Sequence, residues 1–546
     1  MKQLKKLALI VSIGVFACSP KKRVDIIVHN AIVYTVDSCF SRQSAFAVSN
    51  GVFLEIGSDE DILSKYESEN IINTNGRPVY PGFNDAHCHF LGYAEKLLSV
   101  DLTGTRSWKE VLQKCKDFKN DREWIIGRGW DQNDWEVKEF PTKKELDSLF
   151  PDKPVYLTRI DGHAAIANSK ALELANINFY STVAGGKLLK NNNELSGVLI
   201  DNAMELVKKI IPEIPENLKR QAILRAQQDL TKLGLTSIHD AGMNKDDVQF
   251  LDQMYRDSLL YINIYAMINP SKENLEFLKV FKPFSTKLSL KSIKIYSDGA
   301  LGSRGALLSH PYHDDPSNLG LQLIPYNDLD SLIAYCYNNN LQVNTHSIGD
   351  SAARMVLSLY GKHLKSSNNR RWRIEHAQVI NPKDFHYFSN FDILPSVQPT
   401  HATSDMPWAE DRLGEKRIDW SYSYNTLEKL NGIIPLGTDF PIENISPFYT
   451  FYAATTRKDH SGLPESGWRA EERLSPEQTL KGMTIDAAFA SFNEKNNGSI
   501  EKNKVADFII LDRDILTCPH DEILKAFCIE VYIDGKRVYN IYPTIE

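Results

Sequence analysis

Two histidines separated by one residue, His87 and His89, are the side chains of this sequence best suited to chemistry. They directly follow residues 79–86, a run typical of a β-strand. On a strand, side chains at i and i+2 project from the same face, and neutral imidazole is the commonest protein metal ligand. The pair predicts half of a metal site. Isolated pairs of this kind also occur among ordinary surface and core histidines, so further ligands must come from elsewhere in the chain.

Four further polar residues lie in or directly after short apolar segments. A lone histidine at such a position is more often a hydrogen-bonded core or rim residue than a ligand. Together with His87 and His89, however, the chain has four histidines at equivalent strand ends. Four are hard to explain as separate core or rim residues, which favours convergence of their side chains on one point. An aspartate there could instead cap the segment that follows it. The four further candidates are Lys294, His346, His376 and Asp439.

Lys294 is the sharpest single case, because Ile293 and Ile295 flank it in a segment predicted to be buried on both faces. An unpaired buried ammonium is very costly, so the lysine needs a partner or must lose its charge. Two interpretations remain open. The amine could react with carbon dioxide and bridge two metals as a carbamate, or it could form an ion pair with Asp298, Asp240 or Asp439.

The elements that must position these residues alternate between short apolar strands and helical patterns. This alternation predicts a parallel sheet, and about eight strands over residues 79–497 predict an α/β fold built on a (β/α)₈ TIM barrel. Active sites of such barrels lie at the carboxyl ends of the strands. The predicted strands end near His87, Asp240, Met267, Ser297, His346, His376, Gln398 and Thr438.

Two further units are predicted around the barrel. Residues 24–78 and 498–546 both contain β-rich runs, and each is too small for a stable β-domain, so we expect one composite β-sandwich. The stretch at about 102–230 is too long for a loop and predicts an inserted subdomain. It contains a strand at 155–161 and a helical run at 217–233.

The first residues are typical of an export signal. Residues 1–18 combine a basic start with a short apolar run, and residues 15–18 resemble a bacterial lipobox ending at Cys18. We therefore expect an exported protein, lipid-anchored through Cys18 in the bacterial cell envelope; a plain signal peptide cleaved nearby is the alternative. The net charge of -7 gives no sign of nucleic-acid binding. Six scattered cysteines remain, and Cys88 is expected to be a small buried apolar residue.

The combined motifs resemble the amidohydrolase superfamily, metal-dependent hydrolases on a (β/α)₈ barrel, and especially the branch that includes N-substituted formamide deformylases. The resemblance covers nearly everything after residue 24. One departure is Asn503, which stands where the family usually has glycine. The matching stretches are residues 81–89, 129–132, 158–163, 237–242, 294 with 297–303, 346–350, 374–378, 437–441 and 498–508.

The resemblance implies a metal centre with one or two divalent ions. It assigns His87 and His89 to one metal and His346 and His376 to a second, with Lys294 bridging them if it is carbamylated. Imidazole and carboxylate ligands favour zinc, but they also suit manganese, iron or nickel. A homodimer is common in this superfamily.

The resemblance also implies roles in catalysis. Asp439 would bind metal or water and act as the general base, and a metal-activated water would attack the scissile carbonyl. The candidates for substrate contact are Trp130, Asp131, Asp161, His163, His239 and Asp240. Trp130 could instead belong to the core and Asp161 to a turn. His239 and Asp240 could instead orient a ligand or support the barrel mouth.

The sequence thus predicts a metal-dependent hydrolase that cleaves an amide, N-acyl or N-formyl C–N bond of a small molecule. A deaminase or carboxylesterase of the same superfamily is the enzymatic alternative. A lipid-anchored binding protein without turnover is the alternative from another class.

Overall fold

The structure is a computed structural model that describes residues 20–118, 123–191 and 194–542. The predicted signal segment 1–18, with Cys18, lies outside the described residues. The six cysteines of the described part are all unpaired. No helix within the described ranges is both long and apolar enough to cross a membrane.

Seven parallel strands, hydrogen-bonded to one another in chain order, form most of a barrel. This confirms the predicted α/β barrel fold. Four of these strands are buried along their whole length, as expected when helices cover the outside of a barrel. The strands are β1 Phe83–Cys88, β2 Leu235–Met243, β3 Asn263–Ile268, β4 Leu288–Tyr296, β5 Gln342–Ser347, β6 Arg373–His376 and β7 Leu394–Ser396.

The eighth position of the barrel is filled by a short extended segment rather than a full strand. Val397 N donates to Pro435 O at 3.1 Å on one side, and Ala86 N donates to Leu436 O at 3.0 Å on the other. This segment therefore joins β7 to β1. Gly437 is needed within it, because a Cβ there would lie 2.5 Å from the backbone nitrogen of His87.

Helices cover the barrel and connect its strands. Their starts follow ordinary capping chemistry: the helix Lys245–Arg256 begins at a capping box made by Asn244 and Asp247, and it buries Val248 and Leu251. Outside the insert, the other helices between β1 and the end of the barrel are Phe90–Lys96, Glu216–Lys232, Lys272–Val280, Tyr326–Asn338, Asp350–Leu364, His386–Asn390, Pro399–Asp405, Ala409–Leu413, Glu415–Ile418, Tyr424–Asn431, Pro447–Thr456, Pro476–Gly482 and Ile485–Ala490.

Segments from both sides of the barrel form two sheets. One has four strands, Val52–Gly57, Ala45–Ser49, Ile26–His29 and Ile71–Asn73; the other has six, Lys536–Asn540, Cys528–Ile533, Phe508–Leu511, Pro78–Pro81, Ile32–Tyr34 and Arg42–Gln43. A shared core joins them, in which the ring of Phe508 stacks on Tyr532 at 4.3 Å and meets Phe46 edge-on. Because Pro78–Pro81 belongs to this sandwich, the barrel begins at Phe83 rather than at residue 79.

The insert between β1 and β2 has its own six-stranded sheet. Its strands are, in sheet order, Val100–Asp101, Ile125–Trp130, Val155–Arg159, Ala164–Ala167, Glu194–Asp201 and Gly186–Asn191. Its helices are Trp108–Asp117, Lys144–Leu149, Ser169–Leu174 and Glu205–Lys208.

The helical run expected within the insert is a helix, Glu216–Lys232, but it belongs to the barrel. It buries Ile223 and Leu230, and it packs against the helix Phe90–Lys96 and against β2. The sheet of the insert therefore ends at Asp201, well before the boundary near residue 230 that the sequence suggested.

Candidate active site

Four imidazoles from three different strands meet at the carboxyl end of the barrel. The ring centroids of His87 and His89, at the end of β1, lie 5.7 Å apart. His376, at the end of β6, lies 4.8 Å from His87 and 4.6 Å from His346, which β5 carries. The structure thus gathers side chains that are hundreds of residues apart in the chain.

Asp439 enters the same cluster from the segment that closes the barrel. Its Oδ1 lies 3.2 Å from His89 Nε2 and 3.7 Å from His87 Nε2. This oxygen is buried and accepts no hydrogen bond from the described residues. One ligand atom each of His87, His376 and Asp439 lies within 4.8 Å of the other two.

The donor set fits a divalent metal. Burial lowers the pKa of His87 to about 4 and the pKa of His376 well below its usual range, which leaves neutral imidazole nitrogens. A buried carboxylate oxygen without a hydrogen bond is costly unless a cation satisfies it. Nitrogen and oxygen ligands of this kind suit zinc and other divalent first-row metals.

Lys294 lies within this centre and is fully buried. Its Nζ is 3.2 Å from His87 Nε2 and sits over the ring of Tyr296. Burial lowers the pKa of Lys294 to about 8, although nearby carboxylates oppose the shift. None of the acidic partners considered from the sequence forms an ion pair with Nζ in the described part of the chain.

Buried polar groups beneath the cluster fix the orientation of two imidazoles. Glu375 Oε2 lies 2.5 Å from His87 Nδ1, and Glu375 Oε1 lies 2.9 Å from Arg373 Nε. Gln398 Oε1 lies 2.8 Å from His376 Nδ1. Carboxylates and carbonyls that accept from one imidazole nitrogen commonly direct the other nitrogen toward a metal. Burial alone would raise the pKa of Glu375, but Arg373 and His87 lower it to about 2.

His401 is a member of the site that the sequence analysis missed. It lies on the helix Pro399–Asp405, and its Nε2 is 3.1 Å from Asp439 Oδ2. Burial disfavours its charged form, but Asp439 and Glu443 outweigh this and raise the pKa of His401 to about 9. The signal available in the sequence was its position just after the strand end near Gln398.

Three of the predicted substrate-binding residues line the cavity: Asp131, Asp161 and His163. Arg159 forms ion pairs with both aspartates, and its NH1 lies 2.6 Å from Asp161 Oδ2. His163 Nδ1 lies 2.7 Å from Asp201 Oδ1. The insert therefore supplies one wall of the cavity.

The other three predicted substrate-binding residues lie away from the cavity lining. His239 is buried with Nδ1 3.1 Å from Arg373 NH1, and Asp240 Oδ2 accepts a hydrogen bond from Leu91 N at 3.2 Å. The reason is the direction of the side chains: Asp240 is level with Cys88 at the end of β1, but its carboxylate bonds to the start of the helix Phe90–Lys96, and His239 bonds to Arg373 inside the barrel. Trp130 is fully buried in the core of the insert, where its Nε1 donates to Leu157 O at 2.9 Å.

We expect Trp130→Phe to lower stability and leave substrate binding unchanged. The variant loses a buried hydrogen bond and some packing volume, which costs about 1–3 kcal/mol. Thermal unfolding measures the first effect and KM measures the second. A normal melting temperature with a raised KM would instead make Trp130 a substrate contact.

The cavity at the barrel mouth has a volume of about 1080 Å³. The metal-ligand candidates other than His87 line it, the insert forms one wall, and residues 441–445 and 458–461 also contribute to its lining. It is large enough for a drug-sized organic molecule.

Comparison with known proteins places this site in a family. Residues 70–539 match the amidohydrolase family. The chain belongs to that family. The resemblance seen in the motifs is therefore confirmed, and the protein is a hydrolase of the amidohydrolase superfamily.

Individual relatives agree with this assignment. The chain is 32% identical to YtcJ of Bacillus subtilis (strain 168), a protein assigned to the amidohydrolases, over 94% of this chain and 99% of that protein. It is 23% identical to N-substituted formamide deformylase of Arthrobacter pascens, over 94% and 98% of the two chains. The crystal structure of a metal-dependent hydrolase from Pyrococcus horikoshii OT3 has a TM-score of 0.75 and 31% identity, covering 91% of this chain and 99% of that one.

Proposed function

We propose that this hydrolase cleaves the C–N bond of an amide, in particular an N-formyl or N-acyl amine of small size. The observation that carries the proposal is Asp439, whose buried Oδ1 has no hydrogen bond and faces two imidazoles. The similarity to a protein named N-substituted formamide deformylase supports the N-formyl class.

The residues of this chain divide the work between holding a metal and orienting its ligands. His87, His89, His346 and His376 would hold one or two divalent ions with Asp439, and zinc is our first candidate. When bound, such an ion would acidify a water molecule and polarise the substrate carbonyl.

Lys294 has two features that suit the bridging role proposed from the sequence. Its Nζ is buried beside His87, and it lacks an acidic ion-pair partner among the described residues. We propose that its amine is carbamylated, which would replace a costly buried ammonium with a carboxylate-like ligand.

In this proposal, Asp439 is the group that transfers the proton. The nearby imidazoles of His401 and His89 keep the pKa of Asp439 well below the usual range in spite of burial, so the group is a carboxylate. The carboxylate would accept the proton of the attacking water and pass it to the leaving nitrogen. The large cavity above it can accept the amine portion of the substrate.

Metal removal tests the proposal directly. We expect the purified protein to hydrolyse members of a panel of N-formyl and N-acyl amines, to lose this activity on dialysis against a chelator, and to regain it on addition of zinc or another divalent ion. Metal content is measured before and after dialysis.

The same panel separates the alternatives. Full activity in a metal-free preparation would refute the proposal. Turnover of amino-heterocycles or esters, with the amides untouched, would favour a deaminase or an esterase. Metal binding without turnover of any compound would favour a binding protein.

We also propose that the enzyme is exported and anchored to the bacterial envelope through Cys18. The support is the sequence pattern of residues 1–18 alone. The substrate would then be a small molecule encountered outside the cytoplasm.

A further inference from the structure

The cavity has an acidic wall whose carboxylates carry out no step of the proposed hydrolysis. We define this acidic wall by Asp405 and Glu443, which both line the cavity. Asp405 ends the helix Pro399–Asp405, one turn beyond His401, and Glu443 lies just after the segment that closes the barrel. Asp131 and Asp134 of the insert line the same cavity and add negative charge.

Asp405 presents a free carboxylate oxygen. Its Oδ2 accepts hydrogen bonds from Tyr422 Oη at 2.7 Å and from Gln378 Nε2 at 3.3 Å. Within the described part of the chain, its Oδ1 accepts no hydrogen bond, and no lysine, arginine or histidine forms an ion pair with it. The side chain is therefore anchored through Oδ2, and Oδ1 has no partner among the described residues.

Glu443 repeats this arrangement. Its Oε1 accepts a hydrogen bond from Ser404 Oγ at 2.6 Å and lies 3.5 Å from His401 Nδ1. Its Oε2 accepts none from the described residues. Two carboxylates from different elements are thus each anchored at one oxygen and unpaired at the other.

The nearby arginine does not neutralise this wall. Arg159 is fully buried and uses NH1 for Asp161, NH2 for Asp131 and Nε for Gln132. Its charge is already shared by two carboxylates. His401 is the cation in contact with Glu443, and it also bonds to Asp439.

A second and independent observation points to a ligand at this place. Gln378 and Thr400 are only 3% and 5% exposed, and both line the cavity. Gln378 Oε1 and Thr400 Oγ1 have no hydrogen-bond partner in the described structure. Buried polar atoms are normally satisfied, and an unpaired carbonyl oxygen beside free carboxylate oxygens needs an N–H or O–H donor.

Burial of the acidic wall also has an electrostatic cost. It raises the pKa of Asp405 to about 7, and the neighbouring Glu443 and Asp131 add to the rise. A bound cation would remove this cost, because an opposite charge nearby favours the ionised carboxylate.

We propose that the acidic wall is a subsite for a protonated amine, so that the enzyme acts on N-acylated diamines or similar amides that carry a second, cationic nitrogen. This inference rests on the proposed amide hydrolysis. Asp405 lies four residues from His401, about 6 Å along the helix axis, and His401 touches Asp439. The cationic nitrogen would accordingly be a few bonds from the scissile amide.

The test compares two substrates that differ in charge and little in shape. They are N-(4-aminobutyl)formamide, whose free amine is protonated at neutral pH, and N-pentylformamide, in which a methyl group replaces the ammonium. We expect the wild-type protein to prefer the cationic compound by about tenfold or more in kcat/KM. Both Asp405→Asn and Glu443→Gln are expected to reduce that preference to about threefold or less, mainly through KM.

Glu410→Gln provides a matched control, because Glu410 is an exposed carboxylate outside the cavity lining. It should retain the wild-type preference. Thermal unfolding shows whether Asp405→Asn or Glu443→Gln fails to fold. If one does, the substrate preference of the other variant tests the inference. Equal rates for the two substrates in the wild-type protein, or equal losses for both substrates in folded Asp405→Asn and Glu443→Gln, would overturn the inference.

Failure of the proposed function is distinguishable from failure of this inference. If neither formamide is hydrolysed, calorimetry with the same two compounds measures binding directly in the metal-loaded protein. Selective binding of N-(4-aminobutyl)formamide that is lost in Asp405→Asn would support the subsite without the reaction. Equal binding of the two compounds would overturn it.

Discussion

Asp439→Asn should lower kcat/KM by about 10²–10⁴-fold, the usual loss when a positioned general base is removed. The substitution keeps the shape of the side chain and removes its charge. Asp439 has φ 61°, a left-handed conformation that asparagine tolerates better than most residues. The backbone hydrogen bond from Asp439 N to His87 O at 2.8 Å is also preserved, so the variant is expected to fold normally.

The measurement combines kinetics with metal content, since Asp439 is both a proposed base and a ligand candidate. A lower metal content with proportionally lower activity would locate the effect in metal binding. Full metal content with little activity would locate it in proton transfer. Asp411→Asn is the control, because Asp411 is exposed and outside the cavity lining. Activity within about threefold of wild type would remove Asp439 from the mechanism.

Glu375→Gln is predicted to have the largest effect on stability. Glu375 and Arg373 are both fully buried, and their ion pair is 2.9 Å long. Loss of the negative charge leaves the guanidinium without its counterion, which typically costs about 3–5 kcal/mol. Glu375 also orients His87 through Nδ1, and loss of such a partner usually lowers metal affinity about 10–100-fold.

Thermal unfolding and metal titration against a competing chelator measure these two effects. The control is Glu216→Gln, which breaks an ion pair with Arg220 on the protein surface. Exposed i,i+4 pairs contribute only about 0.3–0.5 kcal/mol, so this variant should resemble wild type in both measurements. A Glu375→Gln protein with wild-type stability and metal affinity would contradict the role given to the buried pair.

The barrel and the core of its site could be predicted because chemistry and topology coincide there. A parallel barrel places every strand end at one mouth, so His87, His346 and His376 could be expected to meet once three apolar strands had been recognised. Lys294 was identifiable for a related reason, as a charged residue between two isoleucines of a buried strand. Both arguments need only the local sequence and one rule about the fold.

The remaining parts of the site depend on geometry that the sequence does not encode locally. His401 and Asp405 lie on a helix after a strand, and Glu443 lies in a loop, so no alternation or apolar flank marks them. His239 and Asp240, by contrast, were predicted to contact the substrate but lie outside the cavity lining. They lie close to the level at which β1 ends, but their side chains bond to Leu91 N and Arg373 instead of facing the cavity, and this direction depends on tertiary contacts that the local sequence does not specify.

The sandwich imposes an order on folding during synthesis. Strand Pro78–Pro81 enters the ribosomal exit tunnel ahead of the entire barrel, yet one of its two sheet neighbours, Phe508–Leu511, is translated near the end. At about 5–20 residues per second, the edge of the early strand stays open for tens of seconds. Unpaired strand edges promote aggregation. We therefore expect the nascent polypeptide to bind a chaperone until its final segment is released.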